Sequence, residues 1–198
     1  MESSWPSCDI KGCRFRLGQA WHRKIQKLGL STTYKSASAE GSYLRSFFGL
    51  CFLSPDHVED FFLEEFAADE PDNSAVRTFS DYIFDTYISS NARFPPTLWA
   101  QYTETVCRTT NACEALHGRM KDMFYHAHPS IYIFINALLE IQGRVYIKMN
   151  SISSTKKLKK SAEKERFIRD AMDQFENDEI SRREYVKIVS RKFLPNRV

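Results

Sequence analysis

The segment LGQAWHRKIQKLGL, residues 17–30, sets the character of the fold. Its large apolar residues Leu17, Trp21, Ile25 and Leu28 recur at the spacing that places side chains on one face of an α-helix. Gly29 stands where a residue in the left-handed conformation would end such a helix. We therefore predict a helix from about 14 to 28 with one buried face.

The same spacing recurs along most of the chain and predicts a mainly α fold. Strand signals are nearly absent. The best strand candidates are a short piece before Cys13 and the run 132–135, and the neighbours of that run favour a buried helix. Further helices are predicted at about 38–52, 54–69, 74–88, 111–126, 129–149, 157–176 and 181–192, with a Pro in the first turn after Ser54. An extended turn at 94–96 precedes a short predicted helix that carries Leu98, Trp99 and Tyr102.

Composition and cysteine usage limit the class of protein. A chain of 198 residues, 42% of them hydrophobic, is long enough to bury one core. Its five cysteines include no CxxC pair, which favours a reducing compartment, the nucleus or the cytoplasm. We expect Cys13, Cys107 and Cys113 to be small apolar residues buried in the core. The first residues do not resemble a signal peptide, and the apolar run 131–139 is about half as long as a bilayer span, so we expect no membrane partner.

The net charge of +3 hides a strong asymmetry along the chain. Residues 1–30 hold six Lys and Arg against two acidic residues, and residues 155–198 hold thirteen against eight, whereas residues 54–91 hold one against ten. The two basic ends could contact DNA, because neutralisation of its phosphates releases condensed counterions and favours binding. The alternative is a solvated helix face, with the run 156–160 followed by Glu163 and Glu165 in i,i+4 pairs.

Three segments together resemble the transposase domain of Mutator-like elements (MULEs). They are GCRFRLGQAWHRKIQKLGL at 12–30, FPPTLWAQY at 94–102 and RTTNACEALHGRMKDMFYHAHPSIYIF at 108–134. In that family a Cys-x-x-His motif opens a helix, a helical insertion follows, and a TTN-x-x-Glu motif begins the last helix of the catalytic fold. The TTNACE motif carries most of the specificity, and the resemblance covers roughly residues 9–150.

The resemblance implies a DDE transposase, in which three carboxylates of a ribonuclease-H-like core hold two Mg²⁺ ions for attack on a DNA phosphodiester. By position in the motif, Glu114 would be the third carboxylate. The other motif residues of this chain are Cys13, Arg16, Thr109, Thr110, Asn111 and His117. Residues 1–150 would be a partial MULE domain, made of the helical insertion and the terminal helix of the core. Residues 151–198 would be a basic helical extension, a hairpin weakly attached through a hinge at 151–161.

Two departures from the family pattern bear on activity. The first two aspartates of the family lie upstream of the Cys-x-x-His motif, and Asp9 is too close to that motif to be the second of them. Arg16 stands where the family has histidine, and a guanidinium offers a metal no lone pair. One carboxylate cannot hold two metal ions, so we expect an incomplete Mg²⁺ site, no cofactor and no enzymatic activity.

The motif residues also have purely structural interpretations. Asn111 and Glu114 fit a capping box, in which each side chain satisfies a backbone N–H at the start of a helix. His117 shares a helix face with Glu114, and His126 and His128 follow the helix end, but no Cys/His pair has a recognised zinc spacing.

Three hypotheses about function remain at this stage. The first is a truncated, inactive protein derived from a transposon, and the second is a helical module retained for binding DNA or another protein. The third is an enzyme whose missing part is encoded upstream or supplied by another polypeptide. The sequence leaves the oligomeric state open.

Overall fold

The computed structural model describes residues 11–103, 111–124, 126, 128–151 and 159–192, apart from the side chains of 111–113, 148 and 159–161. Within these residues every regular element is helical, which confirms the mainly α prediction. The α-helices are α1 Arg14–Lys27, α2 Ser31–Lys35, α3 Ala39–Ser46, α4 Val58–Phe61, α5 Ser74–Ile83, α6 Pro96–Trp99, α7 Asn111–Asp122, α8 Ile131–Asn150, α9 Lys159–Glu176 and α10 Arg182–Ser190. The chain forms two compact units, the first from residues 1–109 and 163–198 and the second from residues 110–162.

Helix α1 ends as its sequence predicts. Gly29 has φ +74°, its N–H donates to the carbonyl of Gln26, and the N–H of Leu30 donates to the carbonyl of Ile25, both at 3.0 Å. This Schellman arrangement satisfies carbonyls at the helix end, and glycine adopts it without a Cβ clash. The chain turns immediately into the short helix α2, which the sequence analysis missed because STTYK has no apolar repeat.

The core of the first unit is largely aromatic. Trp21 is fully buried and meets the rings of Phe48, Tyr87 and Trp99 edge-on at 5.8, 5.6 and 5.5 Å. Trp99 is held in place because its Nε1 donates to the carbonyls of Tyr87 and Phe94, at 3.1 and 2.9 Å. Such edge-to-face contacts orient the rings in addition to burying their area.

The predicted helices of residues 38–88 exist, but they are interrupted. Helix α3 continues as a 3-10 helix, Phe47–Phe52. The segment 54–69 consists of a 3-10 turn Pro55–His57, helix α4, a π turn Phe62–Phe66 and a second 3-10 turn Ala67–Asp69. Helix α5 widens into a π turn, Phe84–Ile88. These changes of pitch redirect large side chains, and every apolar side chain of Phe47–Phe52 is consequently buried, which a uniform helix would not allow.

The C-terminal helices complete this core. Tyr185, Val186 and Val189 of α10, with Ile168 of α9, are buried among the residues of α1, α3 and α5. The Tyr185 hydroxyl donates to the carbonyl of Phe52 at 3.3 Å, and burial raises the pKa of Tyr185, so the donor proton is retained. The expectation of a weakly attached hairpin was therefore wrong, because the apolar face of α10 lies inside the core.

The backbone at Gly49 lies very close to α10. A Cβ built on Gly49 would lie 2.2 Å from the carbonyl oxygen of Val186 and 2.9 Å from its Cγ1. Real Cβ atoms do not make contacts of that length, so only glycine fits here without displacement of α10.

The second unit contains helices α7 and α8. The ring of Phe124, just after α7, stacks on that of Phe134 near the start of α8, with centroids 6.3 Å apart. Leu116 of α7 and Ile141 of α8 lie farther from the connection and line a shared cleft of about 470 Å³. The two helices therefore form an antiparallel hairpin. Residues 132–135 are helical as predicted, but they are not buried, since Tyr132 is 78% exposed.

The division into compact units differs from the segments 1–150 and 151–198 that the sequence suggested. Residues 163–198 belong with 1–109, while 110–162 stand apart. The predicted hinge at 151–161 falls mostly outside the described residues. None of the described helices combines the length and apolar character that a membrane crossing requires.

A first prediction follows from the close approach of Gly49 to α10. Gly49→Ala should lower the free energy of unfolding by about 2 kcal/mol or more, because the added methyl must push α10 away from the core. Urea denaturation followed by circular dichroism measures this. Gly18→Ala is the matched control, since its Cβ would approach only the Phe48 ring, at 3.8 Å. It should stabilise α1 by about 0.5–1 kcal/mol, and equal losses for the two variants would contradict the argument.

A second prediction concerns His22, which is 7% exposed and packs edge-on against Tyr34 at 5.3 Å. Burial, and then the charge of Lys35, lower the pKa of His22 below its ordinary value. The folded state therefore binds a proton less readily than the unfolded chain. The resulting stability is present above the unfolded pKa of about 6.5 and is lost as the pH falls towards the folded value.

Replacement of His22 by phenylalanine should consequently flatten the pH dependence of unfolding between about pH 7.5 and 5. The free energy of unfolding is measured by urea titration at several pH values. His57→Phe, at an exposed position, serves as the control. An unchanged slope in His22→Phe would show that other groups account for the pH dependence.

Candidate functional site

The residue matched to the third catalytic carboxylate lies at the start of a helix. Helix α7 begins at Asn111, and Glu114 lies in its first turn with an exposed side chain. His117 follows almost one turn later and is also exposed. Thr109, Thr110 and the side chain of Asn111 lie outside the described residues, so the capping box at Asn111 and Glu114 stays a prediction.

The second motif lies at the start of α1. Cys13 precedes the helix and is half-buried, and its carbonyl accepts from the N–H of Leu17 at 3.0 Å. The preceding residue is fixed by a bond from the Gly12 N–H to the carbonyl of Leu98, at 2.6 Å. Arg16 lies on the exposed side of the helix, where its guanidinium donates to Gln19 Oε1 at 3.3 Å. The position that holds histidine in the family therefore faces outward here.

The described residues do not fit the paired Mg²⁺ ions that the resemblance implies. Two adjacent divalent ions need several carboxylate oxygens to offset their repulsion and to fix their geometry. Within the described part of the chain, no group of three or more His, Cys, Asp or Glu residues is placed to hold a metal ion. On α7 the next acidic residue after Glu114 is Asp122, about 12 Å further along the helix axis. His126 and His128 are exposed beyond the end of α7.

The acidic middle of the chain and the basic C-terminal helix neutralise each other in part. Arg182 of α10 donates to Glu65 Oε1 from its Nε at 2.8 Å and from Nη2 at 2.5 Å. Arg183 forms an ion pair with Asp69, and Lys187 Nζ lies 3.8 Å from the same carboxylate. Part of the charge asymmetry seen in the sequence therefore stabilises the docking of α10 on residues 64–69. These cations are already engaged within the fold.

The basic residues of α1 divide into two groups. Arg14 is buried, with its guanidinium 4.1 Å from the centre of the Phe52 ring, and Lys24 lies over the Tyr82 ring at 4.3 Å. Arg16, Arg23 and Lys27 are exposed. Their spacing of seven and four residues aligns them along one face of the helix over about 16 Å. We call this row of three exposed cations the α1 basic stripe.

A cleft that the sequence analysis did not predict lies beside the α10 ion pairs. It has a volume of about 380 Å³, its apolar wall includes Tyr43 and Phe61, and Asp69, Arg183 and Lys187 lie at its edge. Its residues come from α3, the segment 58–69 and α10, which are far apart in sequence. The opposite charges of residues 54–91 and 155–198 were the only signal that these segments meet.

Comparison of this chain with family models, curated proteins and solved structures finds no match in any of the three.

Proposed function

We propose that this chain is a transposase-derived helical module that does not cut DNA by itself. The observation that carries the proposal is the TTNACE motif at 109–114, whose glutamate lies in the first turn of α7, where the resemblance to MULE transposases would put the third carboxylate. Cys13 at the start of α1 supports the same ancestry, because the family's Cys-x-x-His motif also opens a helix.

The proposed lack of cleavage rests on the number of metal ligands. In-line phosphoryl transfer by two metal ions needs a cluster of carboxylates that binds both ions at once. Glu114 alone matches a position of the family's triad, and its exposed side chain on a helix offers at most two oxygens. The replacement of histidine by Arg16 adds a positive charge at a second motif position, which disfavours a nearby cation.

Incubation of the purified chain with DNA and Mg²⁺ or Mn²⁺ tests this proposal. We expect no strand cleavage and no strand transfer, even on DNA that carries the ends of the ancestral element. Glu114→Gln should leave the helix content unchanged, since glutamine also serves in a capping box. Metal-dependent cleavage that is lost in Glu114→Gln and kept in Asp122→Asn would overturn the proposal. It would favour an enzyme whose remaining carboxylates come from within these residues.

A second candidate function is sequence-independent binding of duplex DNA, and the α1 basic stripe favours it. Arg16, Arg23 and Lys27 are exposed on one face, whereas Arg182, Arg183 and Lys187 at the opposite end of the chain pair with acidic side chains. Neutralisation of phosphates by the stripe would release condensed counterions, the main source of non-specific affinity. The N-terminal stripe is therefore a better DNA contact than α10.

Fluorescence anisotropy of a labelled duplex at several salt concentrations measures this binding. Binding should weaken steeply with salt, and Arg23→Gln with Lys27→Gln should lower the slope of log K against log salt by about 0.9 for each phosphate contact removed. Arg77→Gln with Arg93→Gln removes the same charge from exposed positions outside the stripe and should change the slope little. Equal effects in the two double variants, or no binding at low salt, would exclude the stripe as the DNA contact.

A further inference from the structure

Helix α8 exposes far more apolar surface than a surface helix usually does. Its exposed large side chains include Ile131, Tyr132, Leu139 and Met149, and Met149 is 72% exposed. A neighbouring side of the helix already has a partner, because Phe134 stacks on Phe124, and Ile141 and Val145 line the cleft with α7. The hairpin with α7 therefore leaves an apolar face of α8 uncovered.

The residues of this face follow a coiled-coil repeat. They are separated by intervals of four and three residues that alternate without interruption over the length of the helix: Ile131, Ile135, Leu138, Gln142, Val145 and Met149. A repeat of 3.5 residues keeps a stripe aligned with another helix that packs along it, so this spacing is typical of a helix partner rather than of a sheet. We call these six residues the α8 seam.

The charge pattern favours a partner with the same surface. The seam and its flanking residues Tyr132, Leu139 and Tyr146 include no charged side chain. Glu140 and Arg144 lie on another side of the helix and pair with each other. Lys148, one residue before Met149, also falls outside the repeat. An uncharged apolar stripe is complementary to a second uncharged apolar stripe, and each copy of this chain carries one.

The seam is also self-complementary by position. In an antiparallel pair related by a two-fold axis near residue 140, Ile131 would face Met149, Ile135 would face Val145, and Leu138 would face Gln142. Every seam residue then has a partner from the other copy, as an isologous interface requires. The Gln142 amide already donates to the Tyr146 hydroxyl at 3.5 Å, which reduces the cost of burying it.

The area is sufficient for a stable dimer. From their exposed fractions, the seam and its flanking residues present on the order of 1,000 Å² on each copy, against roughly 300–600 Å² for the largest apolar patch of a typical monomer. Full coverage of this surface on both copies would reach the roughly 1,600 Å² that a standard protein interface buries.

We propose that the chain forms a homodimer in which α8 packs against α8 of a second copy along the α8 seam. The two α7–α8 hairpins then form a four-helix arrangement, in which α7 lies alongside each seam helix. This proposal does not depend on the transposase ancestry or on DNA binding.

Sedimentation velocity of the full chain over a range of concentrations tests the dimer. The wild-type protein should approach twice the mass of one chain as the concentration rises. Ile135→Lys places a charge in the seam and should raise the dissociation constant by more than about tenfold, because an unpaired charge would be buried. Ile133→Lys is the matched control, with the same substitution two residues away on the opposite side of α8. Ile133 is 52% exposed and Ile135 is 45% exposed, so the two sites are similar in exposure. The Ile133→Lys variant should leave the dimer intact.

A third variant should strengthen the dimer, an effect that loss of folding cannot produce. Gln142→Leu removes the one polar side chain of the seam and should tighten the dimer, as removal of a polar core residue does in coiled coils. Circular dichroism checks that all variants keep the helix content of the wild type. A monomeric wild-type protein at every concentration would overturn the proposal. Equal weakening by Ile133→Lys and Ile135→Lys, or no tightening in Gln142→Leu, would also contradict an α8 seam interface.

Discussion

The contact between Gly49 and Val186 is the constraint on which the first unit depends. It allows α10 to approach the 3-10 segment Phe47–Phe52 so closely that Tyr185 reaches the carbonyl of Phe52. The core is therefore closed by helices from the two ends of the described chain, with most of the sequence between them. A side chain at residue 49 would separate these layers and expose apolar surface that stabilises both of them.

Electrostatics reinforces the same contact. The acidic residues at 64–69 and the basic residues of α10 form ion pairs around the cleft beside Tyr43, so charges that look like a binding surface in the sequence are used inside the fold. Partly exposed pairs of this kind contribute modestly to stability. The paired cations of α10 are also less exposed than Arg16, Arg23 and Lys27 of the α1 basic stripe. The basic residues of α10 therefore contribute to the stability of the fold.

The second unit has a different character. Helices α7 and α8 share only part of their apolar surface, and the exposed side of α8 carries a regular repeat that a second helix would cover. The residues of the TTNACE motif belong to this unit, whereas Cys13 and Arg16 belong to the first. The segments that resemble one family domain are therefore distributed over two compact units.

The sequence by itself determined the positions of most helices and the end of α1. The spacing of Trp21 and Ile25 and the glycine at 29 predicted α1 and its end correctly, because helix periodicity and the left-handed conformation of glycine are local properties. The start of α7 near Glu114 was predicted in the same way. Only the tertiary structure decided that α10 belongs to the core, that Arg182 and Arg183 pair with acidic residues, and that the apolar run 131–135 is exposed. Those outcomes depend on which distant surfaces meet, and a local pattern fixes which face of a helix is apolar but not what covers it.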